Sequence, residues 1–317
     1  MNNGLTVDQI LVQAVALTLL YATPYLFAAL GEVFVQRSGV LNLGVEGMML
    51  MGAFSAVYAV SQGAHPLIGL GVAMGVGAAF GAAMAFVNVT LQAEQGISGI
   101  GFTLFGLGLS TLLFKLLSGG VIVADGLDPI NIPVLSDLPV VGRILFQQNI
   151  LTYAAFALVP ISMWVLNKTV WGLNIRAVGQ NPAAADAMGV NVVRVRYSTC
   201  ILGGVLAGVA GASLSIALTN IFQENMTEGR GFIAVALVYF GGWSPLRVMF
   251  GALLFSIANN LQIWVQILDV RIGGAPIPPN LLVMVPYVLT IAVLIFARQR
   301  RRLEPAALTK AFRRGEN

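Results

Sequence analysis

Glu46 is a carboxylate inside an apolar run that reads Gly39-Val-Leu-Asn-Leu-Gly-Val-Glu-Gly-Met-Met. An ionised side chain in hydrocarbon costs about 2.5–3.5 kcal/mol on insertion scales, so we expect Glu46 to face a partner or a wet cavity. Asn42 lies four residues earlier, where its amide could hydrogen-bond the carboxylate on one helix face. Two interpretations stay open: a substrate-pathway or helix-locking residue, or a hydrated group that caps a broken helix.

Further amides, Gln262 and four asparagines, lie within or at the ends of apolar runs, where an unsatisfied polar group is costly. Amides both donate and accept hydrogen bonds, which suits uncharged polyhydroxylated or heterocyclic solutes. The same side chains also serve as ordinary links between helices, and the sequence leaves both roles open. The candidate pathway residues are the asparagines, Asn88, Asn220, Asn259 and Asn260.

Several kinds of chemistry are excluded by what the sequence lacks. No Gly-Lys-Ser or Gly-Lys-Thr occurs, so there is no Walker A phosphate loop. His65 is the single histidine and Cys200 the single cysteine, which leaves no His-based zinc cluster, catalytic triad or internal disulfide. We find no nucleic-acid module either. We therefore predict no catalytic residue, no metal site and no cofactor in this chain.

The segment 168–197 is the most informative polar stretch. Asn181 is a good N-cap, Pro182 suits the first helical position, and Gly189 is a good stop, which predicts a short helix over 182–188. Its exposed face would be small and nearly apolar, which favours docking into another protein. A structural turn without a partner is the alternative.

The composition shows what must position these residues. Of 317 residues 57% are hydrophobic and only 9% are charged, whereas soluble domains carry about 25% charged residues. We therefore predict an all-α polytopic membrane protein with about nine spans (eight to ten), in a single domain covering 1–317. Only Glu46 among the carboxylates lies well inside a predicted span. The spans are 9–30, 39–60, 66–91, 97–118, 146–167, 198–219, 231–242, 246–268 and 280–297.

The seventh run, 231–242, is too short to cross a bilayer at about 1.5 Å per residue unless it is a buried half-helix. Counting it as one crossing is supported by the positive-inside rule. This topology puts the basic tail 298–317 and the loop 168–197 in the cytoplasm. In total, thirteen of the seventeen basic residues then lie inside and four outside. The N-terminus is then predicted outside and the C-terminus inside.

A weak internal repeat relates the two halves of the chain. Residues 80–92 align with 250–262 at five identities in thirteen positions, and the two segments run in opposite directions on the predicted topology. Inverted repeats are typical of transporters, so we predict that spans 1–4 and 6–9 form two inverted halves around span 5. Small residues four apart, as at Gly71/Gly75, Gly77/Gly81, Gly204/Gly208 and Ala207/Gly211, predict close helix packing.

Three stretches together resemble a known family. They begin Arg37-Ser-Gly-Val-Leu-Asn-Leu-Gly-Val-Glu-Gly-Met-Met, Arg176-Ala-Val-Gly-Gln-Asn-Pro-Ala-Ala-Ala-Asp-Ala-Met-Gly and Gly229-Arg-Gly-Phe-Ile-Ala-Val-Ala. The chain is similar to the membrane-spanning permease subunits of bacterial ABC importers, in the branch for branched-chain amino acids, ribose-type sugars and nucleosides. The Asn-Leu-Gly-x-Glu-Gly sequence looks most like the nucleoside branch.

The resemblance implies a multi-subunit transporter in the bacterial plasma (inner) membrane. Its partners would be a second permease, similar or identical, two cytoplasmic subunits that bind ATP and magnesium, and an external solute-binding (lipo)protein. The matched coupling-helix positions are Arg176, Asn181, Pro182, Asp186 and Gly189. The alternatives are import of ribose-like sugars or branched-chain amino acids, and a stand-alone secondary transporter energised through Glu46.

Overall fold

The computed structural model is a bundle of α-helices with two short two-stranded ribbons. It describes residues 7–117, 120–131, 133, 136, 141–267, 271–272, 275–276, 278, 281–282, 284–297 and 303–314. The helices are α1 (Val7–Arg37), α2 (Val45–Ser61), α3 (Pro66–Ala85), α4 (Gln95–Leu117), α5 (Val141–Leu145), α6 (Ile150–Lys168), α7 (Val170–Gln180), α8 (Pro182–Ala187), α9 (Val192–Ala212), α10 (Arg230–Gly241), α11 (Pro245–Ile267) and α12 (Val285–Ala297).

Each predicted span falls on one of these helices, and the all-α class agrees with the prediction. Two helices end in a π-helical turn, α3 through Phe86–Thr90 and α9 through Ser213–Leu218. Within the described ranges, five helices are long and apolar enough to cross a membrane. They are Val12–Arg37, Pro66–Thr90, Gln95–Leu117, Ile150–Lys168 and Val192–Leu218, while Val45–Ser61, Arg230–Gly241 and Pro245–Leu261 are shorter apolar helices.

The first helix extends well beyond its predicted end at residue 30. It continues to Arg37 and carries Glu32, whose side chain is fully buried. Gln36, one turn later, donates to Glu32 Oε2 at 3.2 Å, which gives one oxygen of the buried carboxyl group a partner within its own helix. The expectation that Glu46 is the one carboxylate well inside a span was therefore wrong.

Helix α9 lies at the centre of the bundle, packed against α1, α2 and α3. Its glycines allow this approach: a Cβ at Gly77 would overlap the Gly204 carbonyl oxygen, and one at Gly208 would overlap that of Ala73. Close packing at small residues is thus confirmed for these glycines. It is wrong for Gly71 and Gly75, where an added Cβ would meet nothing within 4 Å, because they face away from the bundle.

Helix contacts follow the same pattern in the two halves of the chain. In the first half α2 packs on α3 and α4, and in the second α10 packs on α11 and α12. The halves also exchange contacts, because α9 packs on α2 and α3 while α1 packs on α10 and α11. The helices of the two halves therefore pack together in one bundle.

The ribbons and the C-terminal segment mark the two ends of the bundle. Strand β1 (Ile122–Val123) pairs with β2 (Ile221–Phe222) after α9, and β3 (Arg271–Ile272) pairs with β4 (Ala275–Pro276). At the other end, the segment 303–314 folds back beside α7, with the Ala307 N–H donating to the Gly179 carbonyl at 2.9 Å. The tail and the loop 168–197 therefore lie at the same end, which we call the α8 end. Residues 298–302 and 315–317 of the predicted tail lie outside the described residues.

Candidate functional site

The start of α2 is set by a non-helical segment, 38–44. The Asn42 side-chain oxygen accepts from the Gly44 N–H at 3.0 Å, and its amide nitrogen lies 3.7 Å from the Met48 sulfur. The predicted hydrogen bond from Asn42 to Glu46 does not form, because Asn42 precedes the helix and turns back onto the local chain. Asn42 thus shapes the entry to α2 and leaves the Glu46 carboxylate to other partners.

Glu46 lies in the first turn of α2 and is only 4% exposed. Its Oε1 accepts from the Thr227 hydroxyl at 2.5 Å and from the Gly229 N–H at 2.7 Å. Its Oε2 accepts from the Gly231 N–H at 2.6 Å. Charge-assisted hydrogen bonds of this kind are roughly twice as strong as neutral ones. The carboxylate therefore joins α2 to the start of α10.

The N-terminus of α10 is built to receive this carboxylate. Gly229 is its N-cap with φ of +81°, a conformation that glycine adopts without strain. A Cβ at Gly231 would lie 2.6 Å from the Glu46 backbone nitrogen, so α2 and α10 can approach this closely only with glycine at this position. The positive end of the helix dipole also favours a negative charge. The carboxylate thus satisfies N–H groups that the first turn of α10 would otherwise leave unpaired.

A second polar connection joins the halves through residues that the sequence analysis missed. The Trp243 indole N–H donates to the Gln36 side-chain oxygen at 2.9 Å, and Gln36 in turn donates to Glu32. The Arg37 Nε also donates to the Trp243 carbonyl at 2.9 Å. The spacing of Glu32 and Gln36, four residues apart, was the signal that could have revealed this buried chain of hydrogen bonds.

Asn88 and Asn220 lie at opposite ends of the bundle. Asn88 is buried in the π-helical turn after α3 and accepts from the Ser98 hydroxyl of α4 at 2.5 Å. Asn220 is exposed with φ of +58°, and its carbonyl accepts from the Ala124 N–H at 3.0 Å. Asn88 thus links two neighbouring helices, and Asn220 shapes the turn before β2.

Asn259 and Asn260 connect α11 to α1. The Asn259 amide donates to the Tyr25 hydroxyl at 2.5 Å, and the buried Asn260 amide donates to the Thr18 hydroxyl at 3.4 Å. The structure therefore places the four predicted amides in separate contacts. Within the described residues, no hydrogen bond joins any of these amides to Glu46.

Helix α8 has the predicted caps and ends one residue earlier than expected. The Asn181 side chain accepts from the Ala184 N–H at 3.0 Å, Pro182 occupies the first helical position, and Gly189 follows with φ of +85°. The side chain of Met188 is 85% exposed, and the helix alanines 183, 184 and 187 are exposed beside it. The molecule thus presents a small apolar face at this end.

The remaining predicted coupling positions flank this face. Asp186 is half-buried and pairs with Arg314 of the C-terminal segment at 3.1 Å. Arg176 is half-buried and its Nε donates to the Gly172 carbonyl of its own helix at 3.4 Å. Asp186 therefore ties α8 to the tail, whereas Arg176 stays within α7.

The polar contacts of the described residues mainly join helices to one another. In those ranges no three His, Cys, Asp or Glu side chains come together as a metal site would require. What the arrangement offers is a buried carboxylate that holds two helix ends together and an exposed helix at one end.

Comparison with known proteins gives one family and several relatives. Residues 14–294 match the family model described as branched-chain amino acid transport system / permease component. A protein of Haloferax volcanii, provisionally named a glucose ABC transporter permease, is 39% identical and covers 92% of this chain and 95% of its own.

Two bacterial relatives are nearly as similar. The guanosine ABC transporter permease protein of Bacillus subtilis is 38% identical over 90% of this chain and 92% of its own. The nucleoside ABC transporter permease protein of Lactococcus lactis is 35% identical over 88% and 90%. No solved structure gave a significant match.

Proposed function

Because the chain belongs to the family of branched-chain amino acid transport system permease components, we propose that it forms the translocation pathway for a nucleoside in an ATP-driven importer. The chain is an ABC transporter permease, as the names of relatives that match nearly its whole length indicate. The five long apolar helices in its described ranges make it a multi-pass membrane protein. ATPase and solute-binding partners follow from this class. The finer assignments below are our proposals.

The observation that carries the coupling role is the exposed apolar face of α8. A helix that exposes Met188 and three alanines beside well-formed caps would gain stability by burying that face against a partner. We propose that this partner is the cytoplasmic ATP-binding subunit. Closure of that subunit would push α8 and, through the short α7–α8 connection, the membrane helices. Asn181, Pro182 and Gly189 fix the shape of α8, Asp186 holds it to the tail, and Arg176 supports it from α7.

We expect Gly189→Val to weaken association with the ATP-binding subunit about tenfold or more. A β-branched residue at φ of +85° strains the backbone, by about 1–2 kcal/mol, and α8 must tilt to relieve it. Gly63→Val is the matched control, because Gly63 has φ of +88°, also has open space around it, and lies in the α2–α3 turn. Co-purification of the ATP-binding subunit measures the effect. Equal retention by the two variants would contradict a coupling role for α8.

We propose that the C-terminus lies in the cytoplasm and the N-terminus outside, with nine crossings. The contact between the segment 303–314 and α7 supports this topology, because both regions are basic and occur at one end of the bundle. The short helix α10 completes a crossing together with the non-helical residues 223–229 that precede it. Twelve residues of helix span about 18 Å, so the irregular segment must supply the rest.

The two halves, spans 1–4 and 6–9, are proposed to be an inverted repeat. The exchange of contacts supports it, since α1 packs on α10 and α11 as α9 packs on α2 and α3. Glu46 then joins the start of α2 in one half to the start of α10 in the other. Helix ends that meet inside a bundle are typical of transporter binding regions. We propose that Glu46 locks the halves beside the pathway. Asn42, Asn88, Asn220, Asn259 and Asn260 remain candidates for polar contacts along it.

The nucleoside assignment is supported by the guanosine and nucleoside permeases among the relatives and by the Asn-Leu-Gly-x-Glu-Gly sequence at residues 42–47. Sugar import is the second candidate, because the relative named for glucose is 39% identical. Branched-chain amino acids, named in the family description, are a third. An uptake assay with excess ribose separates the two classes. Ribose should compete with the solute of a sugar carrier. It should leave uptake by a nucleoside carrier unchanged, because a nucleoside has a flat base in addition to its ribose ring.

A secondary transporter driven by ions through Glu46 is less well supported. Both carboxylate oxygens are engaged, Oε1 by Thr227 and Gly229 and Oε2 by Gly231. Releasing the carboxylate for each transport cycle would leave buried N–H groups without an acceptor, which costs about 1–3 kcal/mol for each. We therefore propose the full complex as the working unit. It comprises this chain, a second similar or identical permease, two ATP-binding subunits with ATP and magnesium, and an external solute-binding lipoprotein.

A further inference from the structure

The C-terminal segment 303–314 is anchored to three helices at the α8 end. Leu308 and Ala307 are buried. The buried Arg196 of α9 donates to the Lys310 carbonyl at 3.0 Å and to the Ser38 carbonyl, after α1, at 3.3 Å. The Gln92 amide, after α3, donates to the Phe312 carbonyl at 3.0 Å. The tail is therefore a fixed part of this end of the molecule.

A groove of about 850 Å³ lies between this tail and the segment that runs from α8 into α9. Its charged lining consists of three arginines and one carboxylate, Arg194, Arg313, Arg314 and Asp186. The carboxylate is paired with Arg314, and the exposed Arg194 adds a positive charge to the lining. Phe312, Val193 and Tyr197 add apolar surface to its walls.

The charge of Arg194 does not favour its own helix. It lies in the first turn of α9, where Asn191 caps the helix by accepting from the Arg194 N–H at 2.9 Å. A cation at a helix N-terminus is unfavourable because the dipole is positive there, by about 0.3–1 kcal/mol. Arg194 is also exposed on the groove. Its position is explained if the side chain meets an anionic group from outside the chain.

The groove lies next to the exposed face of α8, since its lining includes Asp186 of α8 and Gly189, the residue after Met188. A protein that covers Met188 therefore also covers the mouth of the groove. The mixture of apolar walls and exposed guanidinium groups fits a protein segment with carboxylates better than a phosphate alone, because Phe312 and Val193 would otherwise stay unburied.

We propose that the C-terminal segment is the second half of the docking surface, and that its groove receives an acidic segment of the ATP-binding subunit. This proposal rests on the proposed function, in which α8 binds the same subunit. The tail then moves with α8 during closure. Arg196 then passes the motion of the tail to α9 and to the end of α1. This route adds to the one through the α7–α8 connection.

The test uses the assembled complex in detergent and compares Arg194→Glu with Lys168→Glu. Both variants make the same charge change at exposed positions, but Lys168 ends α6 and does not line the groove. We expect Arg194→Glu to weaken retention of the ATP-binding subunit about tenfold at low salt, with a smaller difference at high salt. Arg194→Lys should retain most of the binding, and Lys168→Glu should match the unaltered chain.

A second readout does not depend on charge. A photo-crosslinking amino acid in place of Phe312 should form an adduct with the ATP-binding subunit in the same complex. An adduct with lipid alone, or none, would overturn the proposal, as would equal retention of the subunit by Arg194→Glu and Lys168→Glu. If the unaltered chain itself fails to retain the subunit, the proposed function is overturned and not merely this surface.

Discussion

Replacing Glu46 with glutamine should reduce solute uptake by at least tenfold and lower the thermal stability of the purified complex. The substitution removes the charge that α10 receives and turns an amide N–H₂ toward one of three buried donors, from Thr227, Gly229 and Gly231. A hydrogen bond to a charged group contributes about 1.5–3 kcal/mol, and a buried donor left without an acceptor costs about 1–3 kcal/mol. Membrane insertion should continue, because the apolar helices are unchanged. Uptake of labelled solute and a thermal melt of the complex measure the two effects.

Glu94→Gln is the matched control for this change. Glu94 also accepts from two backbone N–H groups at a helix start, those of Ile97 and Gly96, and these bonds hold its pKa below the ordinary value. It is fully exposed, so water replaces the lost contacts and the variant should transport nearly normally.

The double variant Thr227→Ala with Glu46→Gln should be less harmful than the two single effects added together, because both substitutions remove the same contact. Wild-type uptake and stability in Glu46→Gln would show that the carboxylate is not a lock.

Replacing Gly77 with alanine should sharply lower the yield of folded protein. A Cβ there would overlap the Gly204 carbonyl oxygen, so α3 and α9 must separate along their whole contact. Inserting atoms into a packed core costs typically about 1–3 kcal/mol, and here the obstacle is backbone that has no rotamer to change. Monodisperse yield in detergent and protection from protease measure the loss.

Gly75→Ala is the control, two residues earlier on α3, where a Cβ would meet nothing within 4 Å. In a helix an alanine is favoured over glycine by roughly 0.5–1 kcal/mol, so this variant should fold as well as the unaltered chain or better. If the two alanine variants give equal yields, the central packing of α9 against α3 is wrong.

Local patterns in the sequence were sufficient for α8 and for the positions of most apolar helices. Asn181, Pro182 and Gly189 act on their own neighbourhood, so the cap, first turn and stop could be identified from types and spacing. Long apolar runs likewise identify membrane helices without any knowledge of their neighbours. The need of Glu46 for a partner also followed from its charge alone.

The identity of that partner could not be predicted. Thr227 is 181 positions away in the sequence, and the glycines that follow it gave no sign that their N–H groups face α2. Glu32 was overlooked because a charge normally ends an apolar run, whereas here the helix continues past it and Gln36, one turn later, donates to one of its oxygens. The docking of the tail was missed for a similar reason. Its basic residues follow from topology alone, whereas its anchors are backbone groups, the buried side chains of Ala307 and Leu308, and the pairing of Arg314 with Asp186.

The central claim is that this chain moves a nucleoside only as part of an ATP-driven complex. The most direct measurement is uptake of labelled guanosine into proteoliposomes that contain either the full complex with its solute-binding protein or this chain alone. The account predicts uptake by the full complex that requires ATP and survives excess ribose, and no uptake by the chain alone under a proton or sodium gradient. Guanosine uptake by the chain alone, driven by an ion gradient without ATP, would contradict it.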